Sequence, residues 1–126
     1  MVSDDLNIRI NIPGIWIADS SGAVKLLTED ILYCHHINDV TRIIYSGGRI
    51  KRAHVPLKKI EEKLGTEKFY RCHRNYLVNL EQVFEYNQEG ECIRIRKRHT
   101  VPVSRRRRNG LRLRLINFSA DRYNDD

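Results

Sequence analysis

Cysteine is scarce in this sequence, and its spacing excludes two common frameworks. The 126 residues include three cysteines, Cys34, Cys72 and Cys92, which lie far apart and form no CxxC pair. An odd number of widely spaced cysteines argues against a disulfide scaffold and against a zinc ribbon, and it fits a protein kept in a reducing compartment. We therefore expect one domain that buries its core without disulfides, metal or cofactor.

Long apolar runs are also absent. No segment approaches the roughly 18 to 20 apolar residues that a membrane-spanning helix needs. The N-terminal sequence MVSDDLNIR has acidic residues where a secretion signal would have a basic and then an apolar region. Together with the cysteine pattern, these absences predict a soluble, cytoplasmic protein.

Acidic residues are missing from one long segment. The chain has 23 basic and 16 acidic residues, a formal net charge of +7, but no Asp or Glu occurs from Cys92 to Ala120. The ten basic residues of that segment are Arg94, Arg96, Lys97, Arg98, Arg105, Arg106, Arg107, Arg108, Arg112 and Arg114. Like charges at this density repel one another until phosphates displace their counterions, so the segment predicts a nucleic-acid surface. A localisation signal or a solvated charge run remains the alternative. A membrane-bound segment fits less well, because the apolar residues alternate at strand period.

Alternating and β-branched apolar segments between turn residues predict a mainly β fold. Strands are expected at about 8–12, 15–19, 24–27, 31–34, 41–45, 50–55, 69–72, 76–80, 82–86, 91–97, 100–103 and 111–115. We predict a loop at His35–Asp39, a hairpin turn at Ser46–Gly48 and a tight turn at Arg98-His99. No βαβ spacing occurs, so the strands should form small antiparallel sheets packed on one another. Pro102 should confine its strand to a sheet edge.

Two helical segments interrupt the strands. The first is predicted at about 56–64, where Pro56 begins it, Gly65 ends it, and Leu57, Ile60 and Leu64 share one face that must dock on a sheet. The second is a single helical turn near 104–109, after Ser104. The domain is expected to span 1–118, and residues 119–126 to form a flexible polar tail.

The segment Phe69–Asn79, FYRCHRNYLVN, places a polar cluster between two strand-like pieces. Arginine and asparagine are the side chains that form paired hydrogen bonds with guanine and adenine edges, so a rigid tip at Arg74 and Asn75 is a candidate for DNA readout. An exposed strand end or a partly buried polar network is the alternative. His73 and Asn79 are expected to be internal hydrogen-bond anchors, whereas Arg71 fits either role.

The order of these pieces resembles the LytTR DNA-binding domain, the output module of many bacterial response regulators. The resemblance covers about 24–115 and rests on EDILYCHH, the hairpin with Gly47-Gly48, VPLKKIEEKLG, FYRCHRNYLVNLEQV and TVPVSR. It implies small packed β-sheets and DNA contacts from loops and strand ends at repeated promoter half-sites. Two copies would then bind one site. The family usually couples the domain to a phosphorylated receiver, so the resemblance also implies a receiver or sensor-kinase pathway if the chain is a fragment.

The resemblance places DNA contacts in three regions. Arg74 supplies one and Arg105 another. The third comes from the loop His36–Arg42, where Arg42 is favoured ahead of Asn38 and His36. Asn75 has a structural role or contacts DNA, and Arg106, Arg107 and Arg108 are expected to bind phosphates together with Arg94, Arg96 and Lys97.

Functions of other classes stay in view. A non-specific nucleic-acid or RNA-binding β-domain would use the same basic surface. A small nuclease would require His36 and His73 as acid and base, but the sequence supplies no metal-binding or nucleophile motif, so no enzyme is expected. The cationic neighbours of Cys72 suggest redox sensing as a further hypothesis.

Overall fold

The computed structural model describes residues 12–87 and 89–124, with side chains described as far as Phe118. The predicted strand at 8–12 lies almost wholly outside these residues. The described part contains ten strands: β1 Gly14–Asp19, β2 Gly22–Leu27, β3 Ile31–Ile37, β4 Val40–Tyr45, β5 Arg49–Ala53, β6 Phe69–His73, β7 Tyr76–Asn79, β8 Val83–Tyr86, β9 Cys92–Ile95 and β10 His99–Pro102. It also contains helices α1, Leu57–Leu64, and α2, Arg108–Asn124.

The strands form three antiparallel sheets, which confirms the predicted fold class. The largest has the order β5-β4-β3-β7-β6, the second has the order β10-β9-β8, and β1 pairs with β2 in a separate hairpin. Every pairing is antiparallel. Strand β10 is an edge strand, as its proline requires.

The five-stranded sheet lies between two hydrophobic cores. Neighbouring residues of one strand face opposite sides, and Cys34, Ile43 and Leu77 belong to one core, whereas Ile44 and Val78 belong to the other. The first core is covered by the β1–β2 hairpin and α1, and the second by the three-stranded sheet and the beginning of α2. The central sheet is thereby held on both sides, which fixes the loops at its ends.

Helix α1 confirms the predicted docked helix at 56–64. Pro56 precedes the first helical residue, and Gly65 follows the last with a φ of 80°, a conformation that glycine adopts without steric cost. Leu57 and Ile60 are buried against the sheet, and Leu64 packs at its margin. A helix of this length depends on such packing because it is too short to be stable alone.

The predicted final strand at 111–115 is wrong, because these residues belong to helix α2. Leu111, Leu113 and Leu115 alternate with arginine, but positions four apart also lie on one face of a helix. Leu111 is fully buried and Leu115 packs beside it, whereas Leu113 is 49% exposed. The predicted turn near 104–109 is the 3-10 turn Arg105–Arg107 that leads into α2. The helix crosses the predicted boundary at 118 and includes 119–124 of the expected tail, whereas Asp125 and Asp126 lie outside the described residues.

Two loop predictions also need correction. The segment His35–Asp39 is not a loop, because β3 continues to Ile37 and only Asn38 and Asp39 form the turn. The polar residues of this segment lack the apolar alternation that predicts a strand, although β3 is hydrogen-bonded to a neighbour on each side, β4 and β7. The second tight turn lies at 96–98, and His99 already begins β10.

Candidate nucleic-acid interface

The turn between β6 and β7 projects Arg74 from one end of the five-stranded sheet. Arg74 is exposed, whereas Asn75 is partly buried. The Nδ1 atom of His73 accepts a hydrogen bond from the Asn75 backbone N–H at 3.0 Å, which fixes the turn from inside. His73 is therefore an internal anchor, as predicted.

Arg71 fastens the same turn to helix α1. Its Nε and Nη2 both donate to the carbonyl oxygen of Arg74, with Nε at 3.2 Å. Its Nη1 donates to the Glu61 carboxylate at 2.9 Å. A guanidinium group that forms several charge-assisted hydrogen bonds has little freedom to rotate. The backbone at Arg74 is therefore held in a fixed position relative to α1.

Strands β3 and β4 are joined by a two-residue turn at the same end of the sheet. Ile37 pairs with Val40, and the intervening Asn38 and Asp39 have φ values of 52° and 63°. Two consecutive positive φ values give the tight hairpin turn whose twist matches that of the strands, and Asn and Asp tolerate this conformation best after glycine. The turn leaves Asn38 exposed on a short, rigid hairpin.

His36 joins the two hairpin ends. Its backbone N–H donates to the Asn75 carbonyl at 2.9 Å, and its ring Nδ1 lies 2.9 Å from Thr41 Oγ1. Thr41 is fully buried and donates its hydroxyl proton to the Val55 carbonyl at 2.6 Å. Thr41 must then accept from His36, which places a proton on Nδ1 of that ring. The His36 side chain is thus engaged within the sheet.

Arg105 follows a segment that is bound along the edge strand β6. The Ser104 backbone N–H donates to the Cys72 carbonyl at 3.0 Å, and the Val103 N–H donates to the Glu91 carbonyl at 2.9 Å. Cys72 lies two residues before Arg74 in the chain. Arg105 therefore lies at the same end of the sheet as the two hairpin turns.

The four consecutive arginines divide into two pairs. Arg105 and Arg106 are exposed, whereas Arg107 and Arg108 are partly buried. Arg107 donates from Nη1 to the Arg71 carbonyl at 3.1 Å, so it fastens the helix start to β6. Arg108 lies against the turn between β8 and β9, and its Nε is buried with no hydrogen-bond partner among the described residues.

A row of basic and aromatic side chains crosses the sheet just inside these loops. In strand order the row is Arg52, Arg42, His35, Tyr76 and His73, each directly opposite the next. The His35 and Tyr76 rings stack with centroids 4.1 Å apart and planes 8° from parallel, and His73 meets Tyr76 edge-on at 5.4 Å. Burial lowers the pKa of His35, and the nearby charges of Arg42, His73 and His36 lower it further.

Sequence reasoning did not select three members of this row, His35, Tyr76 and Arg52. For Arg52 the signal was available in the predicted hairpin turn at 46–48. Counting outward equally from Gly47 pairs Arg42 with Arg52, which is the observed register. His35 was assigned to a loop, so the alternation that places it on the same face as Tyr76 was hidden.

The comparisons with known proteins agree with this geometry. The family model of the LytTr DNA-binding domain matches residues 21–116. The chain belongs to the LytTR DNA-binding domain family. A solved LytTr DNA-binding domain of a response regulator from Bacillus cereus has the same fold, with a TM-score of 0.70 and 19% sequence identity over 82% of this chain and 96% of that chain. No curated protein matches this chain. The family resemblance inferred from the sequence motifs is thus confirmed.

In this LytTR domain the structure brings three of the predicted contact residues to one end of the sheet. Asn38, Arg74 and Arg105 are all exposed there, each on a turn that is hydrogen-bonded to its neighbour. Arg42 lies on the sheet face behind the first turn and is partly buried. The basic residues of β9 and the turn after it are placed differently.

The structure does not bring Arg94, Arg96 and Lys97 to these loops. Strand β9 runs away from the end where Arg105 lies, so Arg96 and Lys97 reach the opposite end of the domain. There the Arg96 Nε donates to Gln82 Oε1 at 2.6 Å, and Arg94 pairs with Glu85 across β8 and β9. These three basic side chains therefore lie away from the end of the sheet that carries Asn38, Arg74 and Arg105.

The redox hypothesis for Cys72 is not supported in this LytTR domain. Cys72 is fully buried, and burial raises its pKa to about 12 despite the charges of Arg107 and Arg71. Burial likewise raises the pKa of Cys34 to about 12. Since the thiolate is the reactive form, a buried thiol with a raised pKa is inert at neutral pH.

Among the described residues, no group of three or more His, Cys, Asp and Glu side chains has a geometry suited to a metal ion. In the same part of the chain, neither helix combines the length and apolar character needed to span a bilayer.

Proposed function

We propose that this LytTR domain binds double-stranded DNA sequence-specifically as the output module of a bacterial transcriptional regulator in the cytoplasm. The observation that supports this proposal is the set of three exposed polar side chains, Asn38, Arg74 and Arg105, on rigid turns at one end of the sheet. Base readout requires hydrogen-bonding side chains held in a fixed register, and Arg and Asn pair with guanine and adenine edges in the major groove. The hydrogen bonds of Arg71, His36 and Ser104 provide that rigidity.

The roles of the individual residues follow from their exposure. Arg74 and Arg105 contact bases, and Arg106 contacts a phosphate beside Arg105. In the first hairpin, Asn38 is the base contact because it is exposed at the turn, whereas Arg42 on the sheet face binds the backbone. His36 and Asn75 hold the loops together.

Arg107 and Arg108 contribute chiefly through their positive charge, because Arg107 is hydrogen-bonded to β6 and Arg108 is turned toward the β8–β9 loop. The sequence predicts phosphate contacts from Arg106, Arg107 and Arg108 alike, and exposure now favours one of them. The exposed Arg106, and not Arg107, is the residue whose loss weakens binding without changing the DNA sequence preferred.

Two copies of the domain on repeated half-sites fit the size of this end of the sheet. The two hairpins that carry the Asn38 and Arg74 turns contain four neighbouring strands, β4, β3, β7 and β6. At about 4.8 Å between neighbours, these strands give a width of about 14 Å, close to the roughly 12 Å width of one major groove. One domain therefore covers one groove, and a longer operator requires a second copy about one helical turn away. Where the chain belongs to a longer regulator, a receiver domain under a sensor kinase would control that pairing.

A selection of bound duplexes from a random pool tests the proposal. Run at roughly physiological salt, where phosphate contacts alone do not dominate, it should return a short motif repeated at about one helical turn. Arg74→Ala should then relax the preference for that motif, whereas Arg106→Ala should weaken selected and scrambled duplexes alike. Recovery of no motif would contradict the proposal and favour a non-specific binder, which single-stranded RNA would then test.

A further inference from the structure

Arg42 and Arg52 present two like charges directly opposite each other. They are paired across β4 and β5, and opposite residues in an antiparallel sheet have Cβ atoms about 5 Å apart on the same face. Like charges in this arrangement destabilise a sheet. The next residue of the row is His35, directly opposite Arg42, and its pKa is lowered first by burial and then by neighbouring charges that include Arg42.

Neither guanidinium has a counter-ion in the described part of the chain. The four ion pairs there join Lys51 to Asp19, Lys68 to Glu81, Arg71 to Glu61 and Arg94 to Glu85. The last of these is the instructive comparison, because Glu85 and Arg94 are also directly opposite on neighbouring strands. Arg42 and Arg52 have the same cross-strand relationship in β4 and β5, but both of them are basic.

The position of this pair relative to the turns indicates the ligand. Arg42 lies three residues from Asp39, about 10 Å along the strand at roughly 3.3 Å per residue. A major groove about 12 Å wide that receives the turn would have its phosphate backbone at that distance, within reach of a long side chain. Two guanidinium groups can share one phosphate through parallel N–H···O bonds.

We propose that Arg42 and Arg52 together bind one phosphate of the DNA backbone, and so extend the interface from the turns onto the face of the sheet. This inference rests on the proposed function, since duplex DNA supplies the phosphate. The site adds Arg52, on the edge strand β5, to the residues that hold DNA. The repulsion between the two arginines in the free domain is relieved when the phosphate binds.

The test combines DNA affinity with the stability of the free domain, because the proposal predicts changes of opposite sign. Arg52→Gln should weaken selected and scrambled duplexes by the same factor, about tenfold or more, which is the loss of one charge-assisted contact. The dependence of log K on log salt concentration should become shallower by about one. The melting temperature without DNA should stay the same or rise. Arg52→Glu should raise it further by creating a cross-strand pair with Arg42, and should weaken binding more.

Arg98→Gln is the matched control, because Arg98 is exposed in the turn at the other end of the domain. It removes the same charge and should leave affinity within about twofold of the unaltered protein. An equal loss of affinity in Arg98→Gln and Arg52→Gln would overturn the proposal, since net charge alone would explain both. Unchanged affinity in Arg52→Gln would also overturn it, while reduced sequence preference in Arg74→Ala would leave the proposed function intact. If Arg74→Ala keeps its preference but Arg52→Gln behaves as expected, the phosphate site stands and the assignment of readout to Arg74 fails.

Discussion

The imidazole of His35 stacks on the phenol ring of Tyr76, with ring centroids 4.1 Å apart and planes 8° from parallel. The two residues are opposite each other on β3 and β7, the strands that lead to the Asn38 and Arg74 turns. The stack therefore joins the two hairpins just inside their exposed ends. Protonation of His35 should weaken the stack, because burial disfavours the charged ring and the nearby charges of Arg42, His73 and His36 disfavour it further.

Acidification should destabilise the domain through His35. Its pKa is lowered in the folded state, chiefly by burial, so below the ordinary value of 6.5 the unfolded chain binds the proton more readily than the folded one. The contribution of His35 to the stability of the fold is therefore fully present above pH 6.5, and it is lost as the pH decreases through the lowered pKa. Urea unfolding at about pH 7.5 and 5.5 should show a smaller loss of stability for His35→Gln than for the unaltered domain. His54→Gln is the control, since His54 is exposed after β5. An equal loss in all three proteins would contradict the prediction.

Replacing Arg71 should loosen the Arg74 turn without removing a charge. Arg71→Lys keeps the positive charge but cannot bind both the Arg74 carbonyl and Glu61 through one planar group. We expect a reduced preference for the selected motif over a scrambled duplex, with an unchanged salt dependence. Competition binding with the two duplexes measures this ratio. Arg49→Lys, the same change on exposed β5, should keep the preference. An equal loss of affinity for both duplexes in Arg71→Lys would instead indicate direct phosphate contact by Arg71.

Asn79 should be essential for stability and not for DNA contact. It is fully buried, its Nδ2 donates to the Ile31 carbonyl at 2.8 Å, and its Oδ1 accepts from the Glu81 N–H at 3.0 Å. Asn79→Leu removes both of these hydrogen bonds and should lower the free energy of unfolding by about 2 kcal/mol. Chemical denaturation gives this value. Asn109→Leu, at an exposed position of α2, should change it by less than about 0.5 kcal/mol.

Two of the three leucines of the Leu-Arg alternation should respond differently to truncation. Both belong to α2, but Leu111 is fully buried, whereas Leu113 is 49% exposed. Leu111→Ala should cost about 3 kcal/mol of unfolding free energy, a value typical of a buried leucine. Leu113→Ala should cost less than about 0.5 kcal/mol, because it removes few contacts. Equal costs would contradict the helical arrangement, since a strand would place both side chains on the same face.

The three cysteines should differ in their reaction with iodoacetamide. Cys34 and Cys72 are fully buried with pKa values raised to about 12, whereas Cys92 is partly exposed. In the native protein at neutral pH, mass spectrometry should find Cys92 modified first and the other two protected. All three should react alike in denaturant. Rapid native modification of Cys72 would restore the hypothesis of a redox-sensitive thiol.

Much of the fold was predictable because local patterns and tertiary packing agree. Pro56 and Gly65 mark the two ends of α1. The glycines at 47 and 48 mark one hairpin turn, and the polar pair Arg74-Asn75 marks another. The errors occur where a local pattern fits two structures. The repeat at 111–115 satisfies a strand at period two and a helix at spacing four, and only the core beneath Leu111 distinguishes them.

The sequence by itself determined the family, the mainly β antiparallel fold, the turn at Arg74 and the surplus of positive charge, because these depend on residue types and short spacings. Only the tertiary structure decided which charges act together. Strand pairing places Arg52 opposite Arg42 and sends Arg96 and Lys97 to the other end of the domain, although Arg94 to Arg98 lie closer in sequence to Arg105. The physical reason is that side chains meet through register and strand direction, which long-range hydrogen bonding and burial fix together.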